Sequence, residues 1–307
     1  MRVYLIILVV LLSLCSACSE MSIYDEEKLD SEEMIKIEHF EQIDLIHLLG
    51  QDLDVAIAHF GQPTEKGPSY FNYEWLIFNH HPETYFQIGH SDNKIVTLFI
   101  LGESLVQSPF TIGQTYAEVS DHVMIQQSIT VDQQNGEYRF DLNEQDLRER
   151  PLVQLSEETF AQLYFDRHTN ELVAIRLLDK ETLLAQRPYK IVYRGTLEEI
   201  APVFNKEEIE QSNVKQIFYI TNVLRERYGK TQLDWNEQVA NVAFNHSKDM
   251  KENDYFDHYS PNHGDLENRL KSLDVHYLTA GENIAAEYPD GISAVMGWLN
   301  SEGHRET

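Results

Sequence analysis

Between Tyr255 and Arg305 the chain sets imidazoles and carboxylates beside residues that break or cap regular structure. Three segments carry them: Tyr255-Phe256-Asp257-His258-Tyr259-Ser260-Pro261, Gly281-Glu282-Asn283-Ile284-Ala285 and Trp298-Leu299-Asn300-Ser301-Glu302-Gly303-His304-Arg305. Proline restricts the residue before it, so Ser260-Pro261 predicts an extended turn directly after His258. Gly281 predicts a sharp backbone turn ahead of Glu282. Binding and catalytic side chains concentrate on such turns. A neutral imidazole with carboxylates suits zinc or a similar divalent cation, provided a further acceptor holds the other ring nitrogen. The same groups can perform general acid–base work, or hydrogen-bond each other and fix the loops. The residue types leave all three open. Ser260 has no matched base and acid at nucleophile spacing, so serine hydrolase chemistry is not expected.

These segments, in this order, resemble the CAP superfamily of cysteine-rich secretory, antigen 5 and pathogenesis-related 1 proteins. The similarity is to the cysteine-poor bacterial branch, which reads F-x-H-x-S-P, then G-E-N-I-A, then W-x-x-S-x-G-H-R. It extends from near Asn205 to the end of the chain. The resemblance implies an α-β-α sandwich with a shallow cleft lined by histidines and two glutamates. His258 and Glu282 match the first histidine and first glutamate, and are the metal ligands if a cation binds. Glu302 stands near the position of the second glutamate, with Ser301 one residue away. His304 belongs to the bacterial motif, facing the cleft or capping a helix. Asn283 is expected to order its turn. The chain stops at Thr307, where related sequences continue into further strands. The C-terminal domain is therefore expected to be truncated, either as a fragment or as a genuine product without function.

Net charge and the N-terminus bear on partners. A formal charge of −27 over 307 residues excludes nucleic acid as a natural partner, because phosphates would be repelled. The apolar run from Val3 to Leu12, followed by small residues, has the shape of a signal-peptide core and is short for a membrane span. Cys15-Ser16-Ala17-Cys18 resembles a bacterial lipobox, with cysteine at the position usually held by leucine. Acylation of Cys18 would give a membrane-anchored extracellular lipoprotein of a Gram-positive bacterium; secretion and an uncleaved anchor are the alternatives. Loss of Cys15 with the leader would leave no disulfide, so the exported chain must rely on its core.

The elements that position the candidate residues come in two parts. Residues 1–18 are the expected export segment and 19–46 an acidic tether. Residues 47–195 contain an internal repeat, 49–101 and 111–178. Leu49-Gly50-Gln51 and Ile112-Gly113-Gln114 open the copies, each leading into a short helix-like stretch. Alternation at Tyr73, Trp75 and Ile77, and at Tyr138, Phe140 and Leu142, predicts strands. Tyr85-Phe86 with a turn at Ser91–Lys94, and Tyr164-Phe165 with a turn at His168–Glu171, predict hairpins. This doubled unit resembles the CAP-associated N-terminal domain. Its histidines, His80, His81, His90, His122 and His168, are scattered over turns and helix ends, without catalytic grouping.

The second part, 205–307, opens with a helical stripe at Val214, Ile217, Phe218, Thr221, Leu224 and Tyr228, stopped by Gly229. Asp234 with Glu237 predicts a capping box for the next helix. That helix carries Val239, Val242, Ala243, His246 and Met250, which makes His246 a hydrogen-bonded core histidine. Further helices are predicted at Leu266–Leu273 and Ile292–Leu299. The fold class expected is α+β: a doubled β-rich module followed by an incomplete CAP sandwich. The function expected is binding of a cell-envelope component or protein partner through the His/Glu cleft. A metal-dependent envelope hydrolase is the alternative, since hydrolysis needs a metal with an open position and a base on water.

Overall fold

The computed structural model describes residues 7–12 (by backbone alone), 44–105 and 107–307; Cys15, Cys18 and nearly all of the expected tether lie outside them. The described chain forms two compact units, one reaching to Arg227 and the other joining Tyr228–Thr307 to the strand β1 (Ile7–Leu12). No helix among the described residues is long and apolar enough to cross a membrane.

The first unit contains α1 (Leu53–Phe60), β2 (Glu65–Pro68), β3 (Glu74–Phe78), β4 (Phe86–Ser91), β5 (Lys94–Ile100), α2 (Tyr116–Ser120), β6 (Ser128–Gln133) and β7 (Gly136–Asp141). There follow α3 (Glu144–Glu149), β8 (Leu152–Gln154), β9 (Thr159–Asp166), β10 (Glu171–Asp179), α4 (Lys180–Gln186), β11 (Lys190–Gly195) and α5 (Lys206–Arg227). Its main sheet runs β2-β3-β4-β5-β10-β9-β8, and a smaller one runs β11-β7-β6. The two hairpins that share the Tyr-Phe signature meet at the centre, where β5 pairs antiparallel with β10. Asp92 and Asn93 turn the first hairpin at φ 47° and 64°, and Asn170 turns the second at 61°, conformations that Asn and Asp tolerate. The opening tripeptides bond in matching ways: Gly50 N–H donates to the Ile95 carbonyl, and Gly113 N–H to that of Leu172, each at 2.8 Å.

β9 and β10 are buried along nearly their whole length. The cause is cover on both faces. Leu98, Ile100, Ile175 and Leu177 join the apolar core on one side. On the other, Gln87, Gln162 and Arg176 are buried, with Gln162 Nε2 donating to the Tyr189 hydroxyl and Arg176 Nη2 to that of Tyr73. Helix α5 belongs to this unit: Gln216 Nε2 donates to Gln87 Oε1 at 2.9 Å, and Lys215 pairs with Glu65. Its buried side therefore includes Ser212, Asn213 and Gln216, polar positions that an apolar stripe does not reveal.

The second unit contains α6 (Glu237–Glu252), α7 (Leu266–Ser272), β12 (Ala280–Ala285), α8 (Gly291–Leu299) and α9 (Glu302–Glu306). Val239, Val242, Ala243, Met250, Leu270, Val275 and Ile284 form its core. β1 pairs antiparallel with β12, placing Val10 opposite Glu282; part of the apolar run of the expected leader thus lies beside the strand that carries a candidate site residue. The predicted capping box is replaced by a simple N-cap two residues later. Asn236, not Asp234, caps α6, its side chain accepting from the Gln238 and Val239 N–H groups. Asn236→Ala is expected to cost about 1 kcal/mol, read as a lower urea midpoint with unchanged slope.

Candidate functional site

The loop between α6 and α7 is fixed from both helices, and His258 sits at its crest. From α6, His246 Nε2 lies 3.0 Å from the Asp257 carbonyl. Its ring is buried, and burial, with the nearby Arg269, lowers its pKa. The neutral ring can therefore donate from Nε2. Asp249, also on α6, accepts from Ser260 Oγ at 2.6 Å, from the Tyr255 hydroxyl and from Asn262 Nδ2 at 3.2 Å. Ser260 Oγ in turn accepts from the Asn262 and His263 N–H groups. The serine thus forms its own turn and ties it to α6. From α7, Arg269 Nη2 donates to the His258 carbonyl at 2.9 Å.

His258 and Glu282 are brought together. His258 Nδ1 lies 2.8 Å from Glu282 Oε1. The glutamate side chain is 3% exposed and the histidine 56%, so the carboxylate sits behind the ring and the ring faces solvent. Glu282 is not on a turn. Gly281 lies within β12 and has no positive φ. The glycine matters for space instead: a Cβ there would stand 2.6 Å from Thr307 Cγ2.

Arg269, a residue the sequence reading passed over, completes the arrangement. Its Nη1 donates to Glu282 Oε2 at 2.6 Å and its Nη2 to Oε1 at 2.9 Å, a two-pronged clamp on a carboxylate. Only 5% of its side chain is exposed. A signal was available: Arg269 stands three residues after Leu266 and one before Leu270, on the inward face of α7, where an unpaired cation would be costly.

The other candidates are placed differently. His304 is half-buried in α9, its Nδ1 2.7 Å from Ser301 Oγ and its carbonyl accepting from Asn283 Nδ2 at 2.9 Å. Burial, then the neighbouring His258, lowers its pKa, so two imidazoles lie on this side. Asn283 thus ties β12 to α9. Glu302 stands exposed in the first turn of α9. Phe256 and Tyr259, on either side of His258 in the chain, are 51% and 60% exposed.

Zinc or a similar cation does not fit this donor set. Among the described residues no three His, Cys, Asp or Glu side chains converge as metal ligands. Both oxygens of Glu282 are already engaged, and a dication on them would sit against the Arg269 guanidinium. His258 and Glu282 are joined instead by a hydrogen bond, with Glu282 ion-paired to Arg269.

With that geometry in place, comparison with known proteins becomes specific. Residues 49–189 match the CAP-associated N-terminal model, and residues 218–307 match that of the cysteine-rich secretory protein family. The uncharacterized membrane protein YlbC of Bacillus subtilis (strain 168) is 40% identical over 270 residues, 87% of this chain and 78% of that protein. The chain belongs to the cysteine-rich secretory protein family. A crystal structure of an extracellular protein containing a SCP domain from Bacillus anthracis superposes with a TM-score of 0.82 at 38% identity. It covers 93% of this chain and 91% of its own. A cysteine-rich secretory protein from Staphylococcus aureus gives a TM-score of 0.75 at 25% identity, covering 86% and 87%. This is accordingly an α+β CAP-domain protein with a CAP-associated region ahead of the CAP domain.

Proposed function

We propose that this CAP-domain protein is exported to the surface of a Gram-positive cell, held there through acylated Cys18 or released. There it binds a component of the cell envelope, or a protein carried on it, through the face around His258. One observation carries the reading: an outward imidazole, fixed from behind by the buried Glu282–Arg269 pair, between exposed Phe256 and Tyr259. Rigid, partly exposed aromatic and polar groups supply contact area at low ordering cost. The relative named as a membrane protein and the structure named as extracellular support the location.

An envelope hydrolase is the second reading, favoured by a histidine whose Nδ1 is held by a carboxylate, the arrangement of a general base. In that reading His258 would act on water as the base, with Glu282 holding its Nδ1. The binding reading is tested by sedimenting the full chain with isolated Gram-positive cell walls. His258→Gln and the double change Phe256→Ala, Tyr259→Ala should each weaken binding by at least about tenfold, with the thermal midpoint unchanged. Undiminished binding by both variants would remove this face from the function. Release of soluble wall fragments, abolished by His258→Gln, would put the hydrolase reading ahead.

A further inference from the structure

We propose that Arg269 is the positioning residue of this site, and that it makes His258 present Nε2 outward as a bare hydrogen-bond acceptor. The inference rests on the binding reading above and names the chemistry of its ligand: a hydroxyl or N–H donor at that point. Arg269 donates to both Glu282 oxygens, at 2.6 and 2.9 Å, the two-pronged geometry that matches a carboxylate. A carboxylate accepts and never donates, so Nδ1, 2.8 Å from Oε1, carries the ring proton. In a neutral imidazole the other nitrogen is then the acceptor.

Nε2 has no protein partner among the described residues, and the side chain is 56% exposed. The same guanidinium holds the His258 carbonyl at 2.9 Å, so one side chain fixes the backbone, the tautomer and the direction of the ring. The neighbouring imidazole, His304, is biased towards its neutral form by burial. Arg269 and Glu282 neutralise each other, and the chain as a whole carries −27. Little here attracts a carboxylate or a phosphate, whereas a hydroxyl or an amine finds an acceptor.

The test reads the ring itself. Long-range nitrogen–proton NMR spectra of the full chain, labelled on histidine nitrogen and assigned with His258→Gln, report which nitrogen carries the proton. In the native protein, Nδ1 should give the protonated-type shift and Nε2 the unprotonated type. Arg269→Lys keeps the charge but loses the fork, and Glu282→Gln removes the charged acceptor. Each should change the tautomer ratio by about tenfold, the worth of one charge-assisted hydrogen bond. A purely structural arginine would lower stability and leave the ratio of the folded variants unchanged.

Two small probes, ethanolamine and acetate, address ligand class. The His258 Nε2 signal should move with ethanolamine and stay still with acetate. A protonated Nε2 in the native protein, or an unchanged ratio in folded Arg269→Lys, overturns the assignment. The reverse probe preference overturns the ligand class. Failure of cell-wall binding with the expected tautomer intact would count against the envelope reading alone, leaving the role of Arg269 standing.

Discussion

Arg269→Met is expected to destabilise the second unit by about 3–5 kcal/mol, because it strands a buried carboxylate whose charge the arginine balances. Glu282 is 3% exposed at the side chain, so bulk solvent does not take the place of a lost guanidinium. The penalty comes from the group left behind more than from the bond removed. Arg269→Met combined with Glu282→Leu should therefore recover much of the loss, since an apolar pair of similar volume avoids the desolvation cost. Hydrogen exchange at the β12 amides Ile284 and Ala285 reads this unit directly, without the first unit's transition overlaid. The single variant should exchange about 10²–10⁴-fold faster, and the double variant should fall well short of that. Equal acceleration in both would mean that packing around α7, rather than charge balance, sets the stability. The pair shows how fold and site are joined here: the interaction that orients His258 also holds α7 to β12.

Much of this was legible before any coordinates. The spacing of Val239, Val242, Ala243, His246 and Met250 identified a buried helix face, and all five are buried. The Tyr-Phe hairpins were marked by Asn turns whose side chains permit positive φ, and those hairpins meet at the centre of the sheet. His258 and Glu282 were chosen from motifs, and they lie in hydrogen-bond contact. What escaped depends on partners distant in sequence. Gly281 was read as a turn residue because glycine allows one, but here it gives room to Thr307. α5 was assigned to the second part because its apolar stripe preceded those helices. Its Gln216 instead meets a glutamine 129 positions away, and no local pattern encodes that. The clamp on Glu282 was hidden for a related reason: the donor types were visible, while the arginine seated on that carboxylate was 13 positions away on another element.

Acid should weaken the second unit through one carboxylate above others, Asp249. Burial by itself pushes this group up, but hydrogen bonds from Ser260, Tyr255 and Asn262 outweigh it, with His263 nearby, and bring the pKa to about 2. The ordinary value is 3.8, so the folded state binds the proton less readily than the unfolded chain. The resulting stabilisation, about 2 kcal/mol, is fully present above pH of about 4 and is lost as the pH falls through about 2. Asp249→Asn keeps the shape but turns an amide donor towards groups that are themselves donors, Ser260 Oγ and Asn262 Nδ2. At pH 7 the variant should be less stable by about 3 kcal/mol. Between pH 5 and about pH 2.5 the gap to the native protein should close by more than 1 kcal/mol, because the native carboxylate is losing its advantage there. Urea unfolding of both proteins across that range, followed by exchange at the α6 amides, measures the gap. A constant difference at every pH would show that Asp249 acts by shape alone. A closing difference would show that the loop carrying His258 is held by an ionised hub on α6, eleven residues before Ser260. Such a hub would also bear on ligand binding. His258 can present Nε2 in a fixed direction only while that loop is closed on α6, so Asp249→Asn should weaken ligand binding at pH 7 along with the fold.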